Sequence, residues 1–138
     1  MARNRAGVVI IKDRNVALIK RVKNNETYYV LPGGGIEHGE TYEQAATREA
    51  FEELGVTVQV GPLFATIVDG GEQYYFTANI LSGEFGSGTG EEFENRSSGT
   101  YQAVWIPITA INQVNVYPTA IASHLIENDN SEKSRREP

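Results

Sequence analysis

PGGGIEHGETYEQAATREAFEELGV, residues 32–56, runs from a strand-ending proline and three glycines into a segment that closes on a knot of carboxylates. From Gly39 to Leu54 the pattern reads as helix, with Thr41 as the candidate N-cap and Gly55 as the stop. On a wheel of about 100° per residue, Ala46, Ala50, Leu54, Thr47 and Phe51 gather on one side as the expected core stripe. Glu49, Glu52 and Glu53 fall on the opposite side, as i, i+3 and i+4 neighbours with Cβ atoms about 5–6 Å apart. Like charges so placed cost about a few tenths of a kcal/mol per pair on a solvated helix. Read alone, the helix therefore favours a plain solvated acidic surface.

The glycines beside it favour another reading. A divalent cation reverses the sign of the interaction and turns three repelling groups into a binding site. Carboxylate oxygens with no Cys or His nearby select a hard ion, Mg²⁺ or Mn²⁺, over Zn²⁺. Mg²⁺ keeps several waters and shares its sphere with substrate phosphates, while Gly33, Gly34 and Gly35 let the backbone approach whatever the metal holds.

Working outward, residues 7–11, 16–20 and 27–31 read as strands, as do 56–60, 63–68, 73–81 and 101–106. Asp69-Gly70-Gly71-Glu72 is a hairpin-grade turn, residues 82–99 form a long Gly/Ser/Glu-rich loop, and residues 119–127 form a terminal helix. One domain is expected over residues 1–127, followed by a polar, flexible tail over 128–138.

The chain has 138 residues, a formal charge of −6 and 40% hydrophobic residues, enough for a core. The acidity argues against double-stranded nucleic acid as a partner, because phosphate contacts need clustered Lys and Arg. A small phosphate-bearing ligand stays admissible if a cation or a few local Arg and Lys offset the repulsion. The absence of cysteine excludes disulfides and thiolate metal sites. There is no long apolar run and no charged-then-apolar leader, so a cytoplasmic protein with no membrane partner is the expectation. His38 and His124 are isolated and make no histidine metal pair. Gly86 to Gly90 alternates glycine without a following Lys-Ser or Lys-Thr and is no phosphate loop.

Gly34, five residues, Glu40, seven residues, then Arg48-Glu49-Ala50-Phe51-Glu52-Glu53-Leu54-Gly55-Val56 resembles the Nudix box, G-x5-E-x7-R-E-U-x-E-E-x-G-U, where U is a bulky aliphatic. Ala50 is smaller than the usual residue there, which touches local packing only. The preceding Leu31-Pro32-Gly33-Gly34 and the strand order extend the likeness over most of the chain.

The resemblance implies an α+β Nudix fold: an α/β/α sandwich around a central mixed sheet. It also implies metal-dependent hydrolysis of the pyrophosphate in a nucleoside diphosphate linked to another moiety. The alternative is a nucleotide-binding sensor of the same fold without turnover; such modules commonly lose box glutamates, and this chain retains them. By the likeness, Glu52 and Glu53 are the principal metal ligands and Glu49 is a third ligand or the base. The Gly34 carbonyl is a further candidate ligand. Arg48 orients the glutamates, and Glu40 braces the loop–helix junction. Arg21 stands where relatives place a phosphate-binding cation, and Tyr29 is either core or base-stacking. Glu91, Glu92 and Glu94 stand where relatives add a ligand or base. Tyr74, eighteen residues after Val56, matches a tyrosine associated with dinucleoside polyphosphate hydrolases. The substrate is then a small nucleotide; its identity and the assembly, monomer or homodimer, stay open.

Overall fold

The computed structural model describes residues 4–87 and 99–136. Alternation along the strands sorts the apolar side chains onto two faces. In β1 (Arg5–Val9), Ala6 and Val8 enter one core cluster and Val9 the other; in β3 (Asn15–Lys23), Ala17 and Ile19 join the first, Val16 and Leu18 the second. Helix α1 (Tyr42–Leu54) closes the first cluster through Ala45, Ala46, Ala50 and Leu54. Helix α2 (Ile121–Arg136) closes the second through Ile121 and Leu125. Two helices on opposite faces of β-structure make the α/β/α layering that the sequence predicts.

The strands form two sheets. In the first, β5 (Gly33–Gly35), β1, β7 (Glu72–Gly83) and β6 (Val56–Val68) lie in the order β5-β1-β7-β6, with β1 parallel to β7 and the other pairs antiparallel. In the second, β2 (Ile11–Lys12), β3, β4 (Glu26–Val30) and β9 (Val116–Tyr117) follow one another, and β8 (Thr100–Pro107) also pairs along β3. A 3-10 turn over Ile108–Gln113 leads from β8 towards β9.

Three elements differ from the sequence reading. Gly33–Gly35, expected to follow a strand end, are themselves a strand, and at Gly33 only a residue without a Cβ can lie this close to β1. A Cβ on Gly33 meets the Ala6 oxygen at 2.8 Å and the Gly7 Cα at 2.9 Å. The two runs 56–60 and 63–68 are one strand, and β6 absorbs Gly61-Pro62 as a register shift between Val60 and Leu63. Residues 128–136, expected as a fraying tail, continue α2. There Asp129 accepts two hydrogen bonds from Arg14, at 3.0 and 2.6 Å, which ties the helix to the β2–β3 turn.

The phase of α1 is also corrected. Its start is a capping box: the Gln44 amide N–H donates to the Thr41 hydroxyl and the Thr41 N–H to the Gln44 side chain; Gly55 ends it in the left-handed region at φ 80°. The buried stripe, however, is Ala45, Ala46, Glu49, Ala50, Glu53 and Leu54, and Phe51 is 58% exposed. Two of the three carboxylates thus lie at the centre of the packed face. Leu54→Ala should lower stability by about 2–5 kcal/mol in urea unfolding, whereas Phe51→Ala should change it by no more than about 0.5 kcal/mol.

Candidate active site

The antiparallel pairing of β5 with β1 decides which peptide groups are available to α1. The Val8 N–H donates to the Pro32 carbonyl at 3.0 Å and the Ile36 N–H to the Asn4 carbonyl at 3.3 Å. Hydrogen-bonded pairs alternate, so Ala6–Gly34 is another such pair and Gly34 turns its carbonyl to β1. Gly33 and Gly35 turn theirs outward. The resemblance points to Gly34 as the carbonyl ligand; strand geometry gives that orientation to its two neighbours instead. Gly34 contributes in a different way: the Glu49 carboxylate packs on its bare Cα, where any Cβ would collide with it.

The outward groups are met by side chains. The Gly33 N–H donates to Glu53 at 2.7 Å, the Gly33 carbonyl accepts from Arg5 at 3.1 Å, and the Gly35 carbonyl accepts from Arg48 at 3.1 Å. Burial of a carboxylate is costly unless it is bonded or paired. Glu53, 7% exposed, has the Gly33 amide; Glu49, 9% exposed, has Arg48.

Arg48 carries the positive charge of the site. Its Nη1 donates to Glu49 at 2.9 Å and to Glu52 at 3.0 Å, while Nε and Nη2 hold Glu40 at 2.7 and 3.0 Å. Glu40 in turn accepts from the Glu37 N–H at 2.9 Å, bracing the turn before the helix. These bonds, the Glu40 pair first, raise the Arg48 pKa; the Arg48 bond holds the Glu40 carboxyl below its ordinary range. Burial raises the Tyr75 phenol, Arg5 opposes this, and the Glu53 charge adds to it, so Tyr75, Arg5 and Glu53 share one neighbourhood.

The other predicted residues are scattered. Arg21 lies on β3 with its guanidinium 4.2 Å from the Tyr101 ring centre and 5.4 Å from that of Tyr28, and its buried Nε has no hydrogen-bond partner among the described residues. It shares the face of Ala17 and Ile19, the side on which α1 packs. Tyr29 points to the opposite face and packs into the cluster beneath α2, away from the carboxylates. Tyr74 donates to Glu72 and its ring lies 4.2 Å from that of Tyr42, at the start of α1; the Glu72 bond pushes its pKa up to about 12. Glu91, Glu92 and Glu94 lie outside the described residues. Arg5 was absent from the sequence reading, since an arginine at a strand start carries no signal without the register to Gly33.

Two outcomes check this geometry. Gly34→Ala should displace the Glu49 carboxylate and weaken the site, visible as loss of divalent-ion binding in a fold that still melts cooperatively. Glu40 has a depressed pKa, so its stabilisation is present above the ordinary Glu value of 4.5 and disappears as the pH falls through its lower folded value. Acid unfolding of Glu40→Gln should accordingly show a shallower loss of stability below about pH 4.5 than the parent chain.

The family model described as the NUDIX domain matches residues 1–123. An ADP-ribose pyrophosphatase of Methanocaldococcus jannaschii is 47% identical over 57 residues, which is 40% of this chain and 33% of that protein. An RNA pyrophosphohydrolase of Pelagibacter ubique is 40% identical over 55 residues, 39% of this chain and 35% of that protein. The matched stretch thus spans about a third of the length of these relatives. Among solved structures, a NUDIX hydrolase from Nitrosomonas europaea superposes with a TM-score of 0.72 at 21% identity, covering 96% of this chain and 91% of that one.

Proposed function

Because the chain belongs to the Nudix family, we propose that it is a divalent-metal-dependent hydrolase that cleaves the pyrophosphate of a nucleoside diphosphate linked to another moiety. The observation that carries this reading is the convergence of Glu49 and Glu52 on one cationic nitrogen of Arg48, beside a buried Glu53. That nitrogen stands where a small cation satisfies the same oxygens. The donor set is all oxygen, which fits a hard ion such as Mg²⁺ or Mn²⁺. Among the described residues no three acidic or histidine side chains already stand as a metal cage; Glu49 and Glu52 bond Arg48, and Glu53 bonds the Gly33 amide.

Glu49, Glu52 and Glu53 are the residues that would hold the ion, with an outward-turned glycine carbonyl as a further oxygen donor. When bound, the ion supplies charge stabilisation for the diphosphate and activation of water. The protein supplies the rest. Arg48, anchored at Glu40, keeps the carboxylates in register with β5. Any carboxylate not engaged by the ion is a candidate to take the proton from the attacking water, and Glu49, most closely fitted to Gly34, is the foremost of them. Arg21, in no ion pair among the described residues and on the sheet face that α1 covers, is a candidate to offer positive charge to a phosphate that the ion leaves uncovered. Among the described residues no helix is long and apolar enough to cross a membrane.

Glu53→Gln and Glu52→Gln should each lower turnover by about a hundredfold or more while the far-ultraviolet dichroism stays that of the parent. A panel of nucleoside triphosphates, ADP-ribose, dinucleoside polyphosphates, nucleotide sugars and capped RNA, incubated with Mg²⁺ or Mn²⁺ and resolved by product mass, checks the reaction class. Tight binding of one of them with no cleavage of any would replace the hydrolase with a sensor.

A further inference from the structure

A cavity of about 190 Å³ opens beside Gly33, lined among others by Arg5, Asp69, Gln73, Tyr75, Tyr117 and Pro118. It adjoins the carboxylates through one residue: the Gly33 N–H holds Glu53 and the Gly33 carbonyl accepts from Arg5. Its volume suits a single ring system and is too small for a whole nucleotide. A nucleoside whose diphosphate lies against the carboxylates therefore has a place here for its base. Tyr117 and Pro118 give it flat apolar walls.

The polar groups of this cavity differ in kind. The Gln73 carbonyl oxygen accepts from the Tyr75 hydroxyl at 2.6 Å, which leaves the amide nitrogen of Gln73 to donate. Arg5, opposite Gln73 in the β1–β7 register, offers further N–H donors near the carboxylate end. Asp69 belongs to the turn just before β7, and among the described residues it forms no ion pair. An ionised carboxylate only accepts, so a complementary base needs donors at one place and an acceptor at another.

The geometry points to guanine as the base held in this cavity, with its N1–H and N2 amino group donating to Asp69 and O6 accepting from Gln73 or Arg5. Adenine turns an N1 lone pair and a C–H to the same carboxylate, an arrangement that repels rather than binds. Hypoxanthine retains N1–H but lacks the second donor. This inference rests on the hydrolase reading only for the placement of the diphosphate, and it names the substrate class of that same site.

Calorimetric titration of the full chain with GMP, IMP, AMP and XMP tests it, since none of these contains a pyrophosphate bond. GMP should bind about tenfold or more tightly than AMP, with IMP between them. Asp69→Asn replaces the second acceptor by an amide donor, so it should weaken GMP and strengthen XMP, each by about tenfold. Equal binding of AMP and GMP overturns the assignment, and so does an Asp69→Asn chain that weakens all four nucleotides alike. A guanine preference in a chain that cleaves no pyrophosphate substrate keeps the cavity assignment and removes the hydrolase reading; cleavage without base preference does the reverse.

Discussion

Among the described residues strand β5 is an edge with neither side chains nor a further strand beside it, and the candidate site follows from how that edge is satisfied. Backbone N–H and C=O groups left unpaired in a packed setting are costly, and an open edge invites pairing with another chain. Here the outward groups of Gly33 and Gly35 are taken by Glu53, Arg5 and Arg48. Side chains from a helix and from the next strand thus complete a sheet that has run out of strands. The same absence of Cβ atoms lets Glu49 lie on Gly34 and lets β5 press against β1. One requirement, a strand of glycines, places acidic groups beside peptide backbone in a partly dry setting.

That setting creates the electrostatic problem that Arg48 solves. Three carboxylates within five residues of one helix repel in water only weakly, but they interact more strongly as solvent is removed. Arg48 offers a planar fork of donors, and the structure uses its face-on spread fully: Nε and Nη2 on Glu40, Nη1 on Glu49 and Glu52, Nη2 again on the Gly35 carbonyl. A lysine has no such fork and offers a single charge centre. The bidentate Glu40 bond fixes one side of the guanidinium, so Nη1 is the part of Arg48 that a competing cation can displace without unseating the residue.

Much of this was legible in the sequence where a local rule had no competitor. Thr41 caps the helix, Gly55 ends it in a conformation that favours glycine, and Asp69 to Glu72 turns a hairpin between β6 and β7. The helix phase was misread for a definite reason. A wheel assigns burial by side-chain polarity, which places Phe51 inward and the glutamates outward, whereas burial here is decided by what faces the helix. Opposite α1 lies bare glycine backbone that offers an N–H to a carboxylate and no pocket to a phenyl ring. Tyr29 and Tyr28 are adjacent in sequence, and only the strand register shows that Tyr28 lies opposite Arg21 while Tyr29 lies beneath α2. Likewise α2 reads as polar beyond Glu127, and its continuation depends on a partner, Arg14, more than a hundred residues away.

An acidic molecule that binds an acidic ligand must separate its charges in space rather than balance them in sum. The carboxylates occupy one side of β5, each already matched by Arg48 or a peptide N–H. Among the described residues two further cations form no ion pair, Arg21 beside two tyrosine rings on β3 and Arg5 on the Gly33 carbonyl, at the same outward edge as Glu53. Rings and a carbonyl carry no net charge, so these contacts themselves leave both guanidinium charges in place. For the diphosphate ligand proposed above, Arg21 and Arg5 are therefore the candidate sources of positive charge besides the ion. On that proposal the net charge of −6 is no obstacle, because the field at the ligand would be set by the few groups within about one Debye length of roughly 8–10 Å.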